Sequence, residues 1–185
     1  MVELKKISLK PVSRDDVTRI KKWLRIDEVM DHWFGRYSYG DPAHLGYHPE
    51  KIQQVSEADW EKTFNNPEHR IMSIYSSTED HIGEVHFAIE ASLGDCQFSV
   101  LIGDPHNWHH GYGEAATKRS LEIAFGEYAM YRVWVDIPEF NTAAVTLFQK
   151  LGFVHEGTLR KSRPHHGARF DSVIMGILSS EYVAR

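Results

Sequence analysis

Three runs in the middle of the chain, Arg70 to Ser76, His81 to Ala91 and Cys96 to Ile102, are separated only by Ser77-Thr78-Glu79-Asp80 and Ser92-Leu93-Gly94-Asp95. Each run mixes β-branched and aromatic residues with polar ones, the composition of strands, and each separator is a turn-type cluster. Links this short join antiparallel neighbours, because a parallel pair needs a crossover of about a dozen residues or more. The spacing predicts an antiparallel meander and excludes a regular βαβ alternation over this stretch.

The flanking segments read mostly as helix. Ile7 and Leu9 mark a strand over residues 4–10, ended by Pro11. Ser13-Arg14-Asp15-Asp16 resembles a capping box ahead of Val17, Ile20, Trp23 and Leu24 at helical spacing. Val29, Trp33 and Phe34 suggest another turn or two, residues 36–55 a long aromatic-bearing loop, and Ser56 to Asp59 the start of a short helix carrying Trp60 and Phe64. After the meander, Leu121, Ala124, Phe125 and Tyr128 form one apolar stripe of a helix over 113–128. A strand follows over 131–137, then a helix over 141–151 with Gly152 at the C-cap position. Two strands over 153–160 and 168–178 close the chain. The order predicts one domain over residues 1–185 of α/β class: a mixed, mostly antiparallel twisted sheet flanked by helices.

Composition removes several functions. No stretch approaches the ~20 apolar residues of a membrane span. The start, Met1-Val2-Glu3-Leu4-Lys5-Lys6, lacks the apolar run of a secretory signal, and a single cysteine, Cys96, argues against a disulfide framework. Both point to a cytoplasmic chain. A net charge of -5 argues against a nucleic-acid binder dependent on a basic face. That charge is uneven. Residues 27–95 hold fourteen Asp/Glu against four Lys/Arg, residues 1–26 hold three against eight, and residues 101–185 hold nine of each. The acidity suits either a solvated surface or a wall that attracts a cation.

Trp108-His109-His110-Gly111-Tyr112-Gly113-Glu114-Ala115-Ala116 joins the meander to the next helix. Glycines there let several amide N–H groups converge, and a helix N-terminus adds partial positive charge, so the junction suits a phosphate. The run also fits the dinucleotide fingerprint G-x-G-x-x-A, with Asp136 near the position of a ribose-binding acid. Two observations exclude that reading. Residues 103–110 intervene between strand and glycines, and too little chain follows for a doubly wound sheet.

Asn141-Thr142-Ala143-Ala144-Val145-Thr146-Leu147-Phe148-Gln149-Lys150-Leu151-Gly152-Phe153 is the second informative segment. With the glycine loop, it resembles the GNAT superfamily of acyl-CoA-dependent N-acetyltransferases, on the branch of the ribosomal-protein N-terminal acetyltransferases RimJ and RimL and the spermidine acetyltransferases. Ile102 through Ala116 looks like that family's pyrophosphate loop, with Trp108 in its first slot, and Asn141 through Phe153 looks like its N-x-x-A-x-x-L-Y-x-K-L-G-F helix. Glu156 to Arg160 and Phe170 to Met175 resemble its closing hairpin.

The resemblance implies an enzyme that carries acetyl from acetyl-CoA to a primary amine by direct attack. Its rival is an acyl-CoA-binding sensor or scaffold with little turnover. Leu101, Ile102 and Gly103 would line the pantetheine arm, and an amide N–H near Leu101 would polarise the thioester carbonyl. Amides of His109, His110, Gly111, Tyr112, Gly113 and Glu114 would hold the pyrophosphate, with Trp108 and Ala115 beside them. Asn141 would bond the pantetheine or order the adjoining loop, and Ala144 and Phe148 would flank it. Cys96 need not act as a nucleophile.

Two family positions differ. Counting back from Trp108 to the usual glutamate base reaches Gln97, and the usual tyrosine acid is Phe148. His86 and Glu84, of one parity on the preceding strand, are the substitute bases. On the acceptor side the resemblance places Asp31, Trp33, Tyr37 and Gln97, among carboxylates and aromatic faces that suit a protein N-terminus, polyamine or other cationic amine. Trp33 equally suits the core. No metal is expected: His109-His110 and His165-His166 would point to opposite sides if extended, and no H-E-x-x-H or cysteine cluster accompanies them. Nucleic acid and membrane are not expected partners, and a homodimer is an admissible assembly.

Overall fold

The computed structural model describes residues 5–33 and 46–182. Tyr37 lies outside these residues, as does the side chain of Trp33. Strand β1 (Ile7–Pro11) leads into helices α1 (Arg14–Trp23) and α2 (Asp27–Trp33), and α3 (Glu57–Phe64) follows a single 3-10 turn at Ile52–Gln54. The meander is β2 (His69–Ser76), β3 (His81–Glu90) and β4 (Asp95–Ile102). Then come α4 (Tyr112–Glu122), β5 (Arg132–Pro138), α5 (Thr142–Lys150), β6 (Val154–His165) and β7 (Ala168–Leu178).

The expected capping box is present: the Ser13 hydroxyl accepts from the Asp16 amide while Asp16 accepts from the Ser13 amide. Gly152 ends α5 at φ +93°, a conformation that costs glycine no Cβ clash. Two elements differ from expectation. The helix after the glycine loop passes at Ile123–Glu127 into a π-helical turn, with Tyr128 N–H reaching back to the Ile123 carbonyl. Strand β6 runs on to His165 because residues 160–162 bulge out of the ladder: Leu159 faces Ser172 and Arg163 faces Phe170.

The seven strands order as β1-β2-β3-β4-β5-β7-β6 and pair antiparallel except at β4–β5. That parallel pair holds just Asp95–Arg132, Cys96–Val133 and Gln97–Trp134. Beyond it the strands diverge. One sheet face packs on α4 and α5 through Val85, Phe87, Phe98, Val135 and Phe148. The opposite face packs Ile71 and Leu101 on α1, α2 and α3 through Ile20, Val29 and Trp60. Alternation along each strand supplies both cores.

Candidate active site

Where β4 and β5 part, a cavity opens between the helical layers, lined by Phe98, Val100, Val135, Pro138, Ala144 and Phe148, with His86 and Gln97 on its wall. Strand alternation decides which backbone groups reach it. Gly103 N–H donates to the Ile82 carbonyl at 2.9 Å, and the β3–β4 register runs unbroken from Gly83–Ile102 to Glu90–Asp95. The amides of Leu101, Ser99 and Gln97 therefore turn toward β3, and those of Val100 and Ile102 turn toward the gap. This corrects the expectation for Leu101. Its side chain is 3% exposed, packed in the α1–α3 core, and its amide belongs to the ladder. Val100 presents the N–H in its place. Gly103 likewise spends its amide on Ile82, and its missing side chain makes room for Trp23: a Cβ would stand 1.9 Å from the indole.

Below the cavity, Trp108 donates its indole N–H to the Ile102 carbonyl at 2.7 Å and meets His32 edge-on. It braces the strand end. The next residues curl sharply, with His109 at φ +60° and Gly111 at +86°. Gly111 is the N-cap of α4 and, among the described residues, no side chain caps the helix, so its first amides point outward. Lys5, absent from the sequence reading, adds charge here: its Cγ lies 3.8 Å from where a Gly111 Cβ would be, and its ammonium sits 5.7 Å over the Tyr112 ring. Hydrogen bonds from Lys150 and Lys118 hold the Glu114 carboxyl below its usual value despite partial burial. Uncapped amides, a bare glycine and a nearby lysine fit a pyrophosphate. Ala115 is buried and contributes packing.

Asn141 is spent within the protein. Its Oδ1 accepts from the Ala144 amide, and its Nδ2 donates to the His32 carbonyl at 2.7 Å, fastening α5 to α2. Of the two expected roles, ordering the adjoining chain is the one these bonds perform. Phe148 is 4% exposed between Phe98 and Phe153. Burial beside Asp95 pushes the Cys96 thiol up to about 12, which leaves no thiolate near neutrality.

The two substitute bases form one unit. Glu84 is fully buried, and its carboxylate meets His86 Nε2 at 3.0 Å and accepts from Tyr47 Oη at 2.9 and 3.1 Å. Burial, and then the Glu84 charge, raise the Tyr47 hydroxyl well above its ordinary value, so it remains a donor. With the carboxylate accepting, Nε2 is the ring nitrogen that donates to Glu84. Tyr47 escaped the sequence reading because it lies 37 residues from its partner inside an irregular segment.

The expected acidic wall is not found among the described lining residues. Asp27, Glu28, Glu57 and Glu61 are exposed elsewhere, and Asp31 meets His166 Nε2 at 2.9 Å rather than lining the cavity. The ionisable lining groups are His32, His69, His86, Asp136 and Arg163. Arg163 pairs with Asp136 and donates to Ser172 at 2.7 Å, while Asp136 Oδ1 is buried with no hydrogen-bond partner among the described residues.

A family model for the acetyltransferase (GNAT) domain matches residues 6–154. A spermidine N(1)-acetyltransferase of Vibrio cholerae is 23% identical over 180 residues, covering 97% of this chain and 96% of that one. Its Escherichia coli counterpart is 21% identical over 178 residues, covering 96% and 89%. Among solved structures, the Vibrio cholerae spermidine N-acetyltransferase in complex with CoA and spermine superposes with a TM-score of 0.77 at 21% identity, covering 95% of this chain and 97% of that one. A dodecameric structure of spermidine N-acetyltransferase from the same organism gives a TM-score of 0.71 at 20% identity, with 96% of each covered.

Proposed function

The chain belongs to the GNAT acetyltransferase family, and from that premise we propose that it moves an acetyl group from acetyl-CoA to a primary amine by direct attack. The observation that carries this reading is the divergence of β4 from β5, which turns the Val100 amide toward a cavity walled by His86. Acetyl-CoA enters along that gap, its pyrophosphate against the uncapped amides of Gly111 to Glu114 and Lys5. The Val100 N–H stabilises the thioester oxygen as the carbonyl carbon becomes tetrahedral. His86, held by Glu84 at Nε2, takes one proton from the incoming ammonium group. The neutral amine attacks, the tetrahedral intermediate loses a second N–H proton to solvent, the C–S bond breaks, and the departing thiolate takes a proton from the His86 imidazolium to leave as coenzyme A.

The relatives' names make polyamines the first acceptors to try. A cytoplasmic location and assembly as a homodimer or larger oligomer belong to the same reading. Coenzyme A release measured with spermidine, spermine, amino-terminal peptides and aminoglycosides tests it. We expect turnover with at least one amine, a kcat loss of about 100-fold in His86→Ala from losing a general base, and an unchanged Kd for acetyl-CoA. Acetyl-CoA that raises the melting temperature without turnover on any amine would make the chain a binder instead, a reading that Gln97 and Phe148 at the usual proton-transfer positions favour.

A further inference from the structure

At the tip of the β6–β7 hairpin, His165 pairs with Ala168, leaving His166 and Gly167 as a two-residue turn at φ +47° and +78°. Positive φ at both positions is the type I′ pattern, which favours Asn-Gly and puts a histidine in the left-handed region. The turn also breaks strand alternation, so the two imidazoles converge rather than oppose: their rings lie 4.1 Å apart. Phe140 stacks on His165 at 4.2 Å and 18°, which fixes that ring. The bulge at 160–162 bends the hairpin tip, and the tip lies against α2, where Asp31 Oδ2 stands 2.9 Å from His166 Nε2.

We propose that Asp31, His165 and His166 form a binding site for a divalent transition-metal ion such as Zn2+, which joins α2 to the closing hairpin. One ligand atom from each lies within 4.8 Å of the other two. Tetrahedral Zn2+ with bonds of ~2.0–2.1 Å needs its ligands somewhat closer, a shift that turning the half-exposed His166 ring supplies. Two imidazoles and one carboxylate are ligands that borderline metals take, with a fourth position left to water. The site adjoins the cavity rim without entering it: His32, next to Asp31, and Arg163, three residues before His166, line the cavity. A bound ion would hold that rim in place.

The experiment uses untagged full-length protein, stripped with chelator and titrated with Zn2+ by calorimetry and with Co2+ by visible absorption. One equivalent should bind, Co2+ should show tetrahedral bands, and the melting temperature should rise. Outer-shell losses alone cost about 10–100-fold in metal affinity, so Asp31→Asn and His166→Asn should each weaken binding at least tenfold. His166→Asn places the favoured Asn-Gly pair in the turn, so its metal-free melting temperature should equal or exceed that of the parent. His109→Ala/His110→Ala should bind as the parent does. No stoichiometric binding, or binding that survives both ligand variants, would overturn the site. Both outcomes are read without any acetyl transfer.

Discussion

Glu84 is the most instructive single residue. A carboxylate removed from water costs several kcal/mol unless its partners compensate, and here they are a phenol and an imidazole rather than a lysine or arginine. Tyr47, by donating to the carboxylate, helps hold it where it meets His86. Tyr47→Phe removes a hydrogen bond to a charged group, worth ~1.5–3 kcal/mol, so kcat should fall about tenfold while KM for acetyl-CoA stays put. The sequence placed Glu84 and His86 on one face by parity alone. It could not decide that they act jointly, because side-chain rotamers and Tyr47 make that contact.

At the scale of elements, the proposed anion site rests on the bare start of helix α4. Gly111 there has two properties that substitution separates. Its φ of +86° tolerates asparagine better than other side chains, and its Cβ direction is open apart from Lys5. Gly111→Asn should keep acetyl-CoA binding near the parent level. Gly111→Glu sets a carboxylate against the helix start and the pyrophosphate, a penalty of about 1–2 kcal/mol, so calorimetry should show affinity reduced about tenfold or more. Equal losses in the two variants would mean backbone strain dominates. The elements themselves were largely legible, since alternation in β2, β3 and β4 and apolar spacing in α4 and α5 report burial directly. Register was not. Whether Leu101 or Val100 turns its amide to the gap depends on which β3 residue it faces, and a one-residue change reverses the answer. The β6 bulge was hidden because Arg160 to Arg163 carry no apolar pattern.

Across the whole molecule, α1 is fastened to the sheet by a buried polar node. Asp16 is 0% exposed and accepts from Ser73 at 2.9 Å and Tyr75 at 2.7 Å, with His81 Nδ1 at 3.5 Å and Arg19 on its outer side. Burial lowers the His81 value below 6.5, against the opposing pull of Asp16 and Glu84. Burial would raise Asp16, but hydrogen bonds from Tyr75 and Ser13 keep it below 3.8. For His81 the unfolded chain binds the extra proton, so stability is intact above 6.5 and is lost as pH falls through that value toward the folded one. The melting temperature should therefore decline between about pH 7 and pH 5, and His81→Gln should flatten that decline. Asp16 adds a second loss below about pH 4, where the unfolded chain protonates first.

The three-pair contact between β4 and β5 has a mechanical meaning as well. It divides the sheet into two antiparallel ladders, β1 to β4 and β5 to β7, that share almost no hydrogen bonds along their facing edges. In the interior of the sheet a strand's donors and acceptors are answered by its neighbours. In the proposed reaction a peptide-like substrate arm would answer those left open here, so each round would insert and remove a temporary eighth strand. On that reading, the seam that divides the resting sheet is the place where the substrate would stiffen it.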